Sequence, residues 1–154
     1  MEREFKGRVI YTNVLSYHSD NNTIKYFTNI EDIYNNHEKD AIFLIDELSK
    51  KYVKDSRIDR QFYSWLQQSR KHRRYVFLIT QEYLQVPYWL RGIANLSYTT
   101  RKMPFLPFMI TSLGTPVLDP ETCEWGISEQ AIIIYKRNKT IASKYDTFEL
   151  INEL

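Results

Sequence analysis

The sequence predicts an α/β fold built on a parallel sheet, and three observations predict it. Residues 41–47 read AIFLIDE, a continuous apolar run that ends in two adjacent carboxylates. Such a run, rich in Ile and Phe, fits a strand buried on both faces of a parallel sheet. Residues 75–79 (YVFLI) repeat the pattern and end at Thr80 and Gln81. Between them Ile58, Phe62, Trp65, Leu66 and Ser69 recur at three-to-four spacing, which marks a helix over 57–70. Strand, helix, strand is the repeating unit of such sheets.

The other elements follow in order. Residues 1–6 (MEREFK) read as the tail of a helix stopped at Gly7, since glycine tolerates the left-handed cap conformation. Residues 8–12 (RVIYT) form a short β-branched and aromatic strand. The polar stretch 13–23 is a loop, with Asp20, Asn21 and Asn22 as its turn. A short helix over 30–34 takes Thr28 or Asn29 as cap, and 35–40 turn into the 41–47 strand. Asp55 or Ser56 caps the 57–70 helix. A short helical segment around 86–91 is broken near Pro87, and 95–99 is expected as a third buried strand. After Lys102 the texture changes. Residues 105–111 and 131–137 read as strands around a Pro- and Gly-containing loop, 112–126, an antiparallel hairpin extension at a sheet edge. Residues 147–154 close the chain as a helix capped by Asp146 or Thr147. The expected division is a core of 1–102 and a β-rich extension with closing helix, 103–154, of the same domain.

Composition narrows the function classes. With 154 residues, 43% of them hydrophobic and 26% charged, the chain is globular and large enough for a core without staples. Its single cysteine, Cys123, excludes a disulfide framework and a cysteine zinc cluster, and no basic partner marks it as reactive. His18, His37 and His72 lack metal-type spacing. No apolar run approaches membrane-spanning length and no signal peptide is visible, so the expected compartment is cytoplasmic. The net charge is only +2, but residues 50–74 hold nine Lys and Arg against two Asp, a local +7 that leaves about −5 elsewhere. A belt of this size is either a polyanion footprint or a solvated helix face.

The chemistry concentrates at the strand ends. Open α/β sheets place ligands at the carboxyl edge of their strands. In nucleotide hydrolysis an acid there holds the water shell of Mg²⁺, a neighbouring Glu polarises the attacking water, and a Gln on the next strand senses the terminal phosphate. Asp46, Glu47 and Gln81 have those residue types, and adjacent strands about 4.8 Å apart bring them together. The plain alternative is a solvated acidic turn and a strand-end amide.

From residue 7 to 102 the chain resembles the phage morphogenesis and packaging ATPases of the FtsK/HerA class, especially the Zot-like proteins of filamentous phages. The resemblance rests on GRVIYTN at 7–13, FLIDE at 43–47, SR at 56–57, WLQQSRKHRR at 65–74, VFLITQ at 76–81 and LR at 90–91. It implies a RecA-like P-loop NTPase core, ATP with Mg²⁺, DNA or virion components as partners, and an oligomeric ring. Residue by residue it gives Asp46 as the Walker B metal-coordinating acid, Glu47 as the water-activating acid and Gln81 as the sensor. Arg70 and Arg91 stand where basic residues of the family reach a neighbouring subunit's nucleotide. The departure is the Walker A loop. With glycine only at 7, 92, 114 and 126, no GxxxxGK followed by Ser or Thr can be built. The resemblance then implies an amino-terminally truncated ATPase, inactive alone, whose residues 1–6 are the remnant of the P-loop helix. The strand missing from it would lie between 75–79 and 95–99 and leave both edges bare. Residues 145–149 (YDTFE) resemble a carboxyl-terminal element of related phage ATPases.

Two other readings stand beside this one. A non-catalytic module would dock on DNA or partner subunits through the basic segment from Arg70 to Arg74. A metal-dependent nuclease would use Asp46 and Glu47, although Lys50 does not stand in the E-x-K relation such enzymes use. Association with a membrane or virion is left open by the sequence.

Overall fold

The computed structural model describes residues 5–15, 19, 21–48 and 51–136. The expected closing helix, the YDTFE segment, His18, Lys50 and residues 1–4 lie outside the described residues. The chain divides into two compact units, with the boundary after Pro87, and each is taken by itself.

The first unit holds β1 (Ile10–Thr12), β2 (Ile24–Tyr26), α1 (Glu31–Tyr34), β3 (Ile42–Ile45), α2 (Arg60–Ser69) and β4 (Tyr75–Leu78). Its four strands are all parallel, in the order β2-β1-β3-β4. β3 has a neighbour on each side, and Ile42, Phe43 and Ile45 are buried as an apolar run predicts. β4 has the same composition but pairs only with β3, and its residues are half-buried or exposed. β2 is a short strand that the polar surroundings of IKY conceal in the sequence.

The core is aromatic. Phe43 and Phe62 are fully buried, and Trp65 meets Phe43 edge-on with ring centroids 4.8 Å apart. Tyr52 stacks on Phe62 at 5.7 Å. Trp65 is thus a core residue, its indole N–H donating to Asn36 O (3.4 Å). α2 starts later than the periodicity suggests because its cap is Asp59, not Asp55 or Ser56. The Asp59 carboxylate accepts from the N–H groups of Gln61 and Phe62 (both 3.1 Å) and from the Tyr52 hydroxyl (2.6 Å). Ile58, counted in the helical stripe, is exposed instead. α1 has Ile30 rather than Thr28 or Asn29 at its cap position and no side-chain cap bond. At the start of the described chain Gly7 takes φ +81, which glycine adopts without strain, while the helix tail expected over 1–6 lies mostly outside the described residues.

The second unit holds α3 (Tyr88–Arg91), β5 (Ser97–Lys102), β6 (Phe108–Leu118) and β7 (Trp125–Lys136). Its strands are antiparallel in the order β5-β6-β7. Two expectations are corrected here. The strand near 95–99 is not a buried member of the parallel sheet; β5 pairs antiparallel with β6 and is largely exposed, as its polar alternation SYTTRK permits. The loop expected at 112–126 shrinks to 119–124, because β6 runs on through Gly114 and Pro116 to Leu118 and β7 already starts at Trp125. Gly114 sits at a bulge where an added Cβ would come within 2.6 Å of Ser128 O. Pro116 lies past the last β5 pair, so no β5 partner needs its missing N–H. α3 is tied to the hairpin through Trp125, whose ring lies 3.0 Å from where a Cβ on Gly92 would stand.

Candidate functional site

β3 runs into its two acids without a break. Ile79 N–H donates to Ile45 O (2.8 Å), so the ladder continues past β4 and sets Asp46 level with Ile79. Thr80 and Gln81 therefore leave the sheet beside the acid pair, at the same carboxyl edge. Gln81 is exposed there, while Asp46 is buried.

A third strand contributes a clasp. Asn13, immediately after β1, donates from Nδ2 to Asp46 O (2.9 Å) and accepts at Oδ1 from Asp46 N–H (2.8 Å). One amide thereby holds both main-chain groups of Asp46. Behind it the fully buried Thr12 accepts at its hydroxyl from Val14 N–H (3.1 Å). The Asp46 carboxylate turns back to accept from Glu47 N–H (2.8 Å). Glu47 itself has φ +52, a left-handed conformation that costs a non-glycine residue about 1 kcal/mol or more. Its half-buried side chain carries a buried Oε2. Backbone strain at an acid beside a clasped acid is the pattern of a site whose geometry is held by its surroundings. Sequence reasoning placed Asn13 in a loop; the signal that could have found it is an Asn directly after an apolar strand.

The two loops that leave this edge border a shallow depression of about 340 Å³ lined by Val53, Lys54, Glu82, Leu84 and Gln85. Asp46, Glu47 and Gln81 are not among its lining residues. Two carboxylates at one strand end suit Mg²⁺ held through its waters, because that ion keeps most of its hydration shell. Among the described residues no group of three or more His, Cys, Asp and Glu could hold a metal ion. A triphosphate needs consecutive backbone N–H groups presented by a glycine-rich turn before a helix. The one glycine of this unit, Gly7, precedes a strand. The residues present do not fit a triphosphate on their own, and no chemical step is derived through one.

The arginines separate. Arg70 is exposed at the carboxyl end of α2, which leads into the start of β4, so it stands at the opposite edge of the sheet from Asp46. A role at its own chain's acids is excluded by that placement, whereas a role toward a neighbouring copy is not. Arg91 is buried at the end of α3, in the second unit.

The basic segment is divided between core and surface. Arg74 is buried, donating from Nε to Glu38 O (2.7 Å) and from Nη2 to Asn36 O (3.0 Å), with its guanidinium 5.2 Å from the centre of the Trp65 ring. Burial lowers its pKa. Arg73 pairs with Asp40 (2.6 Å). Of the four cations from Arg70 to Arg74, only Arg74 is withdrawn from the surface; Arg70, Lys71 and Arg73 stay exposed.

Comparison with known proteins bears on the family and the fold. The family model described as zonular occludens toxin (Zot) matches residues 2–109. No curated protein sequence matches. Among solved structures, the N-terminal domain of zonular occludens toxin from Neisseria meningitidis is similar with a TM-score of 0.60 at 17% identity, covering 90% of this chain and 80% of that one. The genome packaging NTPase B204 of Sulfolobus turreted icosahedral virus 2 is similar in two complexes. With ATP-gammaS the TM-score is 0.51 at 11% identity, covering 86% of this chain and 85% of that one. With AMPPCP it is 0.55 at 12%, covering 89% and 86%. At these identities the solved structures speak for the fold, an NTPase-type α/β core with an added antiparallel sheet. The family match spans most of the chain, from before β1 into β6, and takes in all five predicted site residues: the chain belongs to the zonular occludens toxin (Zot) family.

Proposed function

We propose that this chain carries the acid half of an ATPase site serving phage assembly or DNA packaging. In this reading Asp46 would hold Mg²⁺ through water, Glu47 would polarise the attacking water and Gln81 would face the terminal phosphate once a phosphate-binding loop completed the site. Arg70 acts toward the nucleotide of a neighbouring copy in a ring, and Arg91 serves the same end. ATP and Mg²⁺ are the cofactors, DNA or virion components the cargo, and the host cytoplasm the compartment. The observation that carries the reading is the clasped Asp46 and strained Glu47 at the end of β3, beside the Thr80 and Gln81 end of β4. The B204 complexes with ATP analogues support nucleotide as the ligand class. Because these 154 residues contain no glycine-rich phosphate loop, the chain by itself turns over no ATP.

Two measurements test this. The chain alone, with Mg²⁺ and ATP, is expected to release no phosphate; turnover that Glu47→Gln abolishes would refute the inactivity. Complementation of a null allele in the virus that carries the gene is expected to fail with Asp46→Asn and with Glu47→Gln, while Lys71→Ala restores virus yield. Full yield from both acid variants sinks the ATPase assignment.

A further inference from the structure

The antiparallel unit is chemically different at its two ends. One end is the 119–124 turn, where Asp119 accepts at Oδ1 from Glu121 N–H (2.8 Å) and where Glu121 and Glu124 add two more acids. The other is the β5–β6 loop, Met103, Pro104, Phe105, Leu106 and Pro107, with no polar side chain in it. Met103 N–H donates to Phe108 O (3.1 Å), which closes the loop and leaves four residues as its tip. Phe105 has φ +64, a conformation rare for a bulky residue, and its side chain is fully exposed; Leu106 is half exposed. A monomer gains nothing by holding an aromatic ring in strained backbone and in water.

Cations ring this tip. Arg101 and Lys102 end β5, and Lys136 on β7 pairs with Phe108 across β6; all three are exposed. Residues 97–118 contain no acid. The nearest acid on β7 is Glu129, seven residues and about 23 Å back along the strand from Lys136.

We infer that the tip formed by Pro104, Phe105, Leu106 and Pro107, with Arg101, Lys102 and Lys136 as its collar, docks on an anionic lipid surface. An apolar tip enters the acyl boundary while cations behind it meet the headgroups, the combination that binds peripheral proteins to membranes. The acidic turn at the far end is repelled by the same surface, which orients the sheet tip-first. A second copy is a poorer occupant. A convex tip of four residues falls far below the roughly 800 Å² per partner that a stable protein interface takes, whereas a fluid bilayer needs no complementary shape.

The full chain is mixed with sedimentable vesicles of phosphatidylcholine, or of phosphatidylcholine and phosphatidylserine in equal parts. It is expected to sediment with the anionic vesicles only, and less so as salt rises. Phe105→Ser with Leu106→Ser should weaken binding by about tenfold or more and leave the circular dichroism melt unchanged, since both side chains face water. Arg101→Gln with Lys102→Gln should weaken it and flatten its salt dependence. An environment-sensitive dye on Phe105→Cys, in a Cys123→Ser background, should brighten with the anionic vesicles alone. Absence of binding to those vesicles overturns the inference, as does binding that the tip double variant leaves intact. It also falls if that variant changes the native mass in light scattering, because the tip is then an interface between copies.

Discussion

β3 and β4 lie side by side and read almost alike, IFLI and YVFL, yet one is the centre of the core and the other its margin. Phe43 on β3 is fully buried, while Phe77, its register partner on β4, is only half-buried. β4 is covered in part from elsewhere: Phe5 meets Tyr75 edge-on at 4.9 Å and Phe77 at 6.4 Å, and the Arg8 guanidinium lies over the Tyr75 ring. Apolar composition states how many neighbours a strand is suited to. Topology decides how many it has among the residues described.

The largest expected effect tests this contrast directly. Phe43→Ala should cost about 3–5 kcal/mol, a large share of the stability of a domain this size. Phe77→Ala should cost less than half as much, because less area leaves water when it folds. Urea unfolding of the two variants at equal slope measures both; equal costs would mean that β4 is covered as well as β3.

The connection between the strands gives the next contrast. Arg74→Met should cost about 2–3 kcal/mol, since it orphans the carbonyls of Asn36 and Glu38 and uncovers Trp65. Arg70→Ala, four residues earlier and exposed, should fall within about 0.5 kcal/mol of the parent. Thermal melts of both separate the arginine that seals β3 and β4 from the one available for a partner.

The smallest effect lies at the start of α2. Burial pushes the Tyr52 phenol well up, with the Asp59 carboxylate adding to the rise. For Asp59, burial alone would raise the pKa, but the Tyr52 hydroxyl and the amides of Phe62 and Gln61 hold it below the usual carboxylate value. A folded pKa below the unfolded one gives stability that is present above the ordinary carboxylate range and lost as pH falls through the folded value. Tyr52→Phe should therefore cost about 1–2 kcal/mol near neutral pH. The difference from the parent should shrink as Asp59 protonates, which a series of melts across the acid range would follow.

Much of this was legible in the residues. The apolar run ending in Asp46 and Glu47, its repeat ending in Gln81 and the stripe of Phe62, Trp65 and Leu66 mark the parallel core, because the central strand β3 and the inner face of α2 bury mainly apolar side chains. The misread parts are those where a residue serves a contact that sequence spacing does not show. Gly114 and Pro116 look like breakers but occupy a bulge and a bare strand side. Arg74 looks like one of a surface run but is buried and bonded to the carbonyls of Asn36 and Glu38. Asn13 looks like the first loop residue, and its bonds reach 33 positions along the chain.

Asn13 grips the peptide groups of Asp46 while the carboxylate accepts from Glu47 N–H, so backbone and side chain are tied by different bonds at this position. The acid can be neutralised without letting go of the strand end, so Asp46→Asn should retain the fold and report on charge alone. Exchanging Asn13 for Leu would do the converse, keeping both carboxylates while setting them adrift.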